Sequence, residues 1–337
     1  STDMKALVQT AADGPQSALL RDIASPPPQK GEVRVALKAA ALNHRELWIS
    51  RGQYPGMIPA PFTLGCDGAG VIESVGEGVD QARIGEAVML YPGFNWGSDP
   101  RFPAAAFGLL GMPGPGTIAE QICVTSDHAL AMPTHLSFEQ AAAIPLAGLT
   151  AWRGLFTKGG LRAGEKLLVT GAGGGVATFA VQFAVMLGAT VFVTSGSDET
   201  LAKAATLGAT AGFNYKDENW KKALAKTTGG IDLVFDGAPA SSYANYGRAL
   251  NMGARVVVYG STGGAQFPVN APELFLKNVS LIGTNVGNLD DFKAMLAFVG
   301  QHQLQPLIDR RFAFDAASEA LGYLQDAHQA GKVVISI

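Results

Sequence analysis

The stretch Leu167-Leu-Val-Thr-Gly-Ala-Gly-Gly-Gly-Val-Ala-Thr178 places three apolar residues ahead of a glycine-rich run. An apolar, alanine-rich segment continues to Leu187, so the pattern predicts a buried strand over 166–170, a tight turn and a helix. Such a helix N-terminus carries unpaired N–H groups and the positive end of the helix dipole, which suit a pyrophosphate. The missing side chains would let the backbone approach the phosphates closely. The predicted contact residues are Gly173, Gly174, Gly175 and Val176.

The spacing of this motif departs from G-x-G-x-x-G/A. In the frame Ala172-x-Gly174-x-x-Ala177, alanine replaces the first glycine. A plain strand-to-helix turn would also use glycine, so a purely structural turn is the alternative. However, Gly188 ends the predicted helix and residues 190–194 have the pattern of the next parallel strand. This βαβ context favours a dinucleotide site over a plain turn.

Composition excludes several classes of function. A chain of 337 residues with 47% hydrophobic residues can fill the cores of two domains. Charged residues make up only 16% and no basic block occurs, so no nucleic-acid partner is expected. No apolar run approaches the ~18 residues that span a bilayer. Neither Cys66 nor Cys123 belongs to a disulfide framework or a C-x-x-C cluster, and no export signal is present, so a cytoplasmic protein is expected.

The order of predicted elements indicates an α/β fold with two domains. Residues 65–79 alternate glycine with β-branched residues, which predicts a curved, barrel-like sheet. The Gly/Pro-rich segment 92–116 is too long for a simple turn and is a candidate lid or lobe. From residue 166 onward, strands alternate with helices, which predicts a doubly wound parallel sheet. The expected domains are a β-rich catalytic domain from residues 1–125 and 270–337, and a dinucleotide-binding domain from residues 126–269.

The sequence resembles the medium-chain dehydrogenase/reductase superfamily over essentially the whole chain. The segment Gly65-x-x-Gly68-x-Gly70-x5-Gly76-x2-Val79 is similar to the superfamily's N-terminal signature, and the glycine-rich turn follows it as expected. The resemblance implies a GroES-like catalytic domain joined to a Rossmann domain. It also implies a nicotinamide coenzyme.

The zinc ligands of the alcohol dehydrogenases in that superfamily are not matched. Their first zinc cysteine falls on Asn43, their His-Glu pair on Cys66-Asp67, and their third ligand on Leu146. Their four-cysteine lobe falls within 92–116, which contains no cysteine. The chain is therefore similar to the zinc-independent quinone oxidoreductase branch, and no zinc is expected. An alcohol dehydrogenase with an atypical zinc site remains an alternative.

The resemblance also implies the pocket residues. The pocket asparagine of that branch maps to Asn43, its tyrosine to Tyr54, and its nicotinamide-side threonine to Thr150. Asn43 is also a favoured N-cap for a helix beginning at His44, and the two roles are compatible. Arg45 and Glu46, next along the chain, are expected to form a surface or interdomain ion pair.

Chemistry agrees with a metal-free reductase. Without a metal to polarise a carbonyl, alcohol oxidation loses its main stabilisation of the transition state. Quinones and α,β-unsaturated carbonyls spread the incoming charge over a conjugated system, so hydrogen bonds from Asn43 and Tyr54 can suffice. Tyr54 or solvent would supply the proton. The expected activity is reduction of quinones or enones, and a catalytically silent NADPH-binding protein is the alternative from another class.

The second strand of the βαβ unit indicates the coenzyme. It ends at Ser195, where an NAD enzyme usually carries Asp or Glu to bind the ribose 2′-OH. A neutral hydroxyl does not repel a 2′-phosphate, so NADPH is expected over NADH. Tyr215 falls at the family's phosphate-contacting tyrosine, whereas the family's common lysine is Thr200 here. Ser195 and Ser197 could alternatively serve only to cap the helix predicted over 198–207.

Residues 279–284 predict a homodimer. This segment is a strong β-former at the end of the doubly wound sheet, where it would leave an apolar edge. A two-fold partner that adds the same strand would cover that edge, and relatives in the family commonly dimerise there. The alternative is that a helix over 289–299 covers the edge within one chain.

Overall fold

A computed structural model of the chain describes residues 3–326 and 330–337. The chain divides into a terminal unit, residues 1–146 with 288–337, and a central unit, residues 147–287. The described strands are β1 (Asp3–Gln9), β2 (Ala18–Ala24), β3 (Glu32–Ala41), β4 (Phe62–Thr63), β5 (Asp67–Val75), β6 (Ala87–Leu90), β7 (Gly93–Phe94), β8 (Gly108–Leu109), β9 (Gln121–Thr125), β10 (Ala129–Ala131), β11 (Lys166–Val169), β12 (Thr190–Ser195), β13 (Ala211–Asn214), β14 (Ile231–Asp236), β15 (Leu250–Val258), β16 (Ser280–Gly283), β17 (Ile308–Ala313) and β18 (Lys332–Ser336).

The described helices alternate with the strands mainly in the central unit. They are α1 (His44–Ser50), α2 (Phe138–Ala142), α3 (Pro145–Trp152), α4 (Gly175–Leu187), α5 (Asp198–Thr206), α6 (Trp220–Thr228), α7 (Pro239–Tyr246), α8 (Ala271–Leu276), α9 (Leu289–His302) and α10 (Ala317–Asp326). Helix α3 continues directly into a π-helical segment, Arg153–Lys158. In the part of the chain that is described, no helix has the length and apolar character needed to cross a bilayer.

The central unit holds one parallel sheet in the order β13-β12-β11-β14-β15-β16. Counted from β11, the strand order is 3-2-1-4-5-6, which is the order of dinucleotide-binding domains. It reverses between β11 and β14, so a crevice forms beyond the carboxyl ends of these strands. Helix α4 is buried along most of its length. A helix in such a position is typically apolar on nearly all sides, as α4 is. The predicted doubly wound sheet is confirmed.

The terminal unit is organised around β3. One edge of β3 pairs with β5, and its other edge pairs first with β9 and then with β18. Two register shifts interrupt the β3–β5 pairing, and such bulges bend a sheet. At Gly70, an added Cβ would lie 2.1 Å from the Ala36 carbonyl oxygen, so only glycine allows this close approach. The predicted GroES-like, β-rich unit is confirmed.

The two units meet at residues 146/147 and 287/288. Both boundaries lie later in the chain than the expected domain boundaries, 125/126 and 269/270. Helix α2 packs against β3 and β5 of the terminal unit, which draws the segment up to residue 146 into that unit. Strand β16 pairs with β15, so the central unit continues to residue 287. Both boundaries follow tertiary packing rather than a change in composition.

The sequence did not predict β2 and β17. Each carries charged residues, Arg21 and Asp22 in β2 and Arg310 and Arg311 in β17. Each also lies at the end of its sheet, where β2 pairs only with β1 and β17 only with β18 in the described pairings. Edge strands tolerate charge because one edge faces solvent, so they lack the apolar alternation that reveals a strand in a sequence.

A bidentate ion pair ties β15 to the loop before β11. The Arg255 guanidinium donates to both carboxylate oxygens of Glu165 at 2.8 Å, and its Nε donates to the Gly159 carbonyl oxygen at 2.8 Å. We expect Arg255→Met to lower the free energy of unfolding by about 2 kcal/mol. The substitution removes both charge-assisted hydrogen bonds to Glu165 and the bond to the Gly159 carbonyl oxygen. Arg248→Met is the control, since the Arg248 side chain is 96% exposed.

The same pair predicts an acid dependence. Hydrogen bonding to Arg255 holds the pKa of Glu165 below its ordinary 4.5. The unfolded chain therefore takes up this proton at higher pH than the folded chain does. The stabilisation is present above pH 4.5 and declines as pH falls below that value. Denaturant unfolding at pH 7 and pH 4 should show that the difference between wild type and Arg255→Met narrows in acid; an unchanged difference would contradict this reading.

Candidate active site

The glycine-rich turn follows β11 and leads directly into α4. Gly171 adopts φ +65°, and Gly174 is the N-cap of α4. The Ala172 N–H donates to the Thr194 carbonyl oxygen at 2.9 Å, which joins the turn to the end of β12. The first-turn N–H groups of a helix, here those of Gly175 and Val176, have no acceptor within the helix. The turn therefore has the form of an anion site at the switch point of the sheet.

Ser195 and Tyr215 lie together at the ends of β12 and β13. The Tyr215 N–H donates to the Ser195 carbonyl oxygen at 3.1 Å, and the Ser195 Oγ accepts the Ser197 N–H at 3.1 Å. Tyr215 is 53% exposed, and its ring lies over Gly196. A Cβ added at Gly196 would lie 2.7 Å from the Tyr215 hydroxyl oxygen. Ser197, rather than Ser195, is the N-cap of α5, and its hydroxyl accepts the Thr200 N–H.

A buried polar group beside the turn was not predicted from the sequence. The Asp236 carboxylate accepts the Thr170 hydroxyl at 2.8 Å, the Tyr246 hydroxyl at 2.7 Å and the Ala238 N–H at 2.8 Å. Thr170 and Asp236 stand at the carboxyl ends of β11 and β14, which fixes these two central strands to each other. An aspartate at the end of an apolar strand was the signal from which this buried group could have been predicted. Thr150, the predicted nicotinamide-side residue, is buried in α3 of the central unit.

Asn43 is the N-cap of α1, where its side chain faces the Glu46 N–H in a capping box, and the same side chain also contacts a buried cluster. Its backbone N–H donates to Glu46 Oε1 at 2.9 Å, so Glu46 closes the first turn. The Asn43 Nδ2 donates to Asp67 Oδ2 at 2.9 Å and lies 3.6 Å from Cys66 Sγ. Burial is the main cause that raises the pKa of the Cys66 thiol well above its ordinary value, with Asp67 adding to it. Cys66 is thus a neutral thiol beside a carboxylate.

Two further groups complete this cluster. The Leu146 N–H donates to Asp67 Oδ1 at 2.8 Å. The Lys332 ammonium donates to Asn43 Oδ1 at 2.6 Å and to the Leu42 carbonyl oxygen at 2.7 Å, and it lies 3.6 Å from Asp67 Oδ2. Asp67 and Lys332 are 0% and 3% exposed, so they form a buried ion pair. Lys332 was not predicted from the sequence, although a lysine at the start of an apolar strand was a signal.

Arg45 and Glu46 form their expected ion pair, but not at a surface. Both are buried in the terminal unit, with Arg45 Nη1 3.4 Å from Glu46 Oε2. Arg45 also donates to the carbonyl oxygens of Leu110 and Met112, which fixes the end of the 92–116 segment. Its guanidinium lies 5.1 Å from the centre of the Tyr54 ring. Tyr54 is thus linked to α1 through Arg45, and burial raises the pKa of Glu46 while Arg45 opposes that shift.

The donor set at Asn43, Cys66, Asp67 and Leu146 does not fit a zinc ion. The Asn43 oxygen is occupied by the Lys332 ammonium, and Leu146 contributes only a backbone N–H to the cluster. A second cation would meet the positive charge already in contact with Asp67. Among the described residues, no group of three or more His, Cys, Asp or Glu side chains is arranged to hold a metal.

Comparisons with known proteins identify the class of protein to which this two-unit fold belongs. Residues 29–134 match the alcohol dehydrogenase GroES-like domain family, and residues 175–301 match the zinc-binding dehydrogenase family. A zinc-type alcohol dehydrogenase-like protein, YogA, from Leptosphaeria maculans is 36% identical over 94% of both chains. Quinone oxidoreductase from Rattus norvegicus is 28% identical over 98% of this chain and 96% of the rat protein. The solved structure of an NAD-dependent alcohol dehydrogenase superposes with a TM-score of 0.93 at 34% identity, covering 99% of this chain and 100% of that one.

The chain belongs to the medium-chain dehydrogenase/reductase superfamily. It is an oxidoreductase that uses a nicotinamide coenzyme. The resemblance predicted from the sequence is thereby confirmed at the level of superfamily and enzyme class.

Proposed function

We propose that this protein is a metal-free, NADPH-dependent reductase of quinones or α,β-unsaturated carbonyls. The observation that carries the proposal is the cluster at the positions where zinc relatives bind their metal. There, an internal ammonium already contacts Asn43 and Asp67. The polarising group for a carbonyl must then be a hydrogen-bond donor, and a conjugated substrate needs less polarisation than an isolated carbonyl.

The reaction transfers one hydride and one proton. A reduced nicotinamide coenzyme held at the Gly173 to Val176 turn would supply the hydride. The β-carbon of an enone, or the equivalent position of a quinone, would accept it, and the coenzyme would be left oxidised. The electron pair of the conjugated bond moves to the carbonyl oxygen, where Asn43 Nδ2 and the Tyr54 hydroxyl stabilise the developing enolate or phenolate. A proton from Tyr54 or solvent then gives the saturated ketone or the hydroquinone.

The preference for NADPH rests on the end of β12. Ser195 presents a neutral hydroxyl where an acid would repel a 2′-phosphate, and the exposed Tyr215 ring lies beside it. Asp198 and Glu199 also stand in the first turn of α5. Asp198 Oδ1 accepts a hydrogen bond from Asn214 Nδ2 at 2.9 Å, which engages one of these two carboxylates. We therefore propose a preference for NADPH that local acidic residues keep moderate.

Product analysis tests this proposal. Purified protein is incubated with NADPH deuterated at C4 and a cyclic enone, and the product is analysed by mass spectrometry and NMR. We expect one deuterium at the β-carbon of a saturated ketone. An allylic alcohol with deuterium at the carbonyl carbon would show carbonyl reduction instead. Absence of turnover with enones and quinones alike would contradict the proposal.

We also propose that two chains associate through β16. This strand ends the central sheet and pairs only with β15 among the described residues. Leu281 on the strand is 39% exposed, and Phe275 and Leu276 of α8 are exposed as well. An apolar sheet edge of this kind is normally covered, and a two-fold partner covers it by continuing the sheet.

The free thiols of Cys66 and Cys123 support our further proposal of a cytoplasmic setting.

Substitutions in β16 test the dimer. Leu281→Pro should dissociate it by removing a ladder N–H, and Leu281→Lys should do so by placing charge at the apolar edge. Light scattering at micromolar concentration should report a dimer for wild type and a monomer for both variants. Ile84→Lys, at an exposed apolar position of the terminal unit, is the control and should stay dimeric. A wild-type monomer under these conditions would refute the interface.

A further inference from the structure

Lys332 carries a buried positive charge whose three N–H groups all face oxygen atoms. The Leu42 carbonyl oxygen, Asn43 Oδ1 and Asp67 Oδ2 lie 2.7, 2.6 and 3.6 Å from its Nζ. Burial of a charge is costly unless it is paired and hydrogen-bonded, and this ammonium meets both conditions. The pairing of β18 with β3 brings Lys332 to this position at the start of α1.

The Asn43 amide lies between two groups of opposite charge. An ammonium can only donate hydrogen bonds, so it must face the amide oxygen. A carboxylate can only accept them, so Asp67 must face the amide nitrogen. Turning the amide over would place its N–H groups against the ammonium and its oxygen against the carboxylate. The two charges together therefore favour one of the two amide orientations, and the Glu46 N–H of the capping box favours the same one.

We propose that Lys332 is a positioning residue for the reduction, and that its ammonium replaces the metal cation of the zinc relatives. It neutralises Asp67 and holds Asn43 with Nδ2 as the donor toward the substrate oxygen. One N–H of Nδ2 bonds Asp67, and the other faces Cys66 Sγ at 3.6 Å. Sulfur is a weak acceptor, so a carbonyl oxygen takes its place at little cost. This inference rests on the proposed function.

Loss of the ammonium should release the amide. In a Lys332→Met variant, the Asn43 oxygen loses its ammonium donor, and the Asp67 carboxylate loses the cation that faces it. The amide then keeps only its bond to Asp67 and its place in the capping box with Glu46. With its oxygen no longer fixed by the ammonium, the amide nitrogen would be held less precisely toward the substrate oxygen.

The decisive comparison separates positioning from simple charge balance. Lys332→Met leaves an unpaired buried carboxylate and should lower Tm by about 10 °C. Its kcat for enone reduction should fall by on the order of 10²-fold, with KM for NADPH unchanged. Lys332→Met combined with Asp67→Asn removes both charges and should restore Tm. Its kcat should remain low, because neither partner now selects the amide orientation. Lys30→Met, at an exposed lysine, should match wild type.

A second readout is independent of turnover. In wild type, one Asn43 side-chain N–H bonds a carboxylate, so the two amide protons should differ strongly in chemical shift and exchange slowly with solvent. In the double variant, this difference should collapse. Recovery of kcat together with Tm, or an unchanged Asn43 amide signal, would overturn the role of Lys332. If wild type reduces no enone, the proposed function fails, and the amide signal alone then decides whether Lys332 orients Asn43.

Discussion

Gly174→Val should raise the Kd for NADPH by about 100-fold, equivalent to about 2.7 kcal/mol, without unfolding the protein. Gly174 is the N-cap of α4 at φ −65° and ψ 152°, a conformation open to any residue. A Cβ added there would meet only the Gly171 carbonyl oxygen, at 3.7 Å, within 4 Å. The fold therefore accepts a side chain. The coenzyme should not, because its pyrophosphate needs close approach to this backbone.

Fluorescence titration with NADPH and thermal melting of the coenzyme-free protein measure the two effects separately. Gly300→Val is the matched control, because a Cβ added at Gly300 in α9 meets nothing within 4 Å, so the fold accepts a side chain there too. We expect unchanged NADPH binding in the control and a near-wild-type Tm for Gly174→Val. A folded Gly174→Val variant that binds NADPH as wild type does would show that the pyrophosphate lies elsewhere.

Ser195→Asp should shift the coenzyme preference toward NADH. The value of kcat/KM for NADPH, divided by that for NADH, should fall by on the order of 10²-fold. The reason is that a carboxylate would accept the ribose 2′-OH of NADH and repel the 2′-phosphate of NADPH. The position tolerates the change because Ser195 Oγ already accepts the Ser197 N–H at 3.1 Å, a bond that a carboxylate can keep. Ser195→Asn matches aspartate in size without its charge. It should therefore leave most of the preference in place.

Initial rates with both coenzymes at a fixed acceptor concentration give these ratios. A wild-type enzyme that uses NADH as well as or better than NADPH would contradict the assignment of Ser195. A Ser195→Asp variant with the wild-type ratio would show that the coenzyme ribose does not lie at the end of β12. An equal response to Ser195→Asn and Ser195→Asp would mean that size, rather than charge, sets the preference.

The central unit was predictable because its signals are local. Each strand and the helix after it lie within one short segment, and Gly171 to Gly175 mark the turn between β11 and α4. The switch of hydrophobic period from two to 3.6 residues is therefore visible in the sequence alone. The pairing of β16 with β15 at the end of the sheet follows from the same alternation of strands and helices.

The cluster around Asn43 was only partly predictable. Asn43, Cys66 and Asp67 could be named from the motif, but their partner Lys332 is separated from Asn43 by 289 positions. Only the insertion of β18 between β3 and β17 brings it there. The Arg45–Glu46 pair was expected at a surface or between domains for a similar reason. Local sequence does not reveal that the 92–116 segment covers Arg45 and accepts its hydrogen bonds through Leu110 and Met112.

The most direct test of metal-free NADPH-dependent reduction measures metal content and turnover on the same sample. Protein is purified with and without chelator, zinc per chain is determined by elemental analysis, and NADPH oxidation is followed with a quinone and with an enone. We predict less than stoichiometric zinc, turnover of both acceptors and no effect of the chelator on rate. One tightly held zinc per chain, with activity that its removal abolishes and its return restores, would contradict the account.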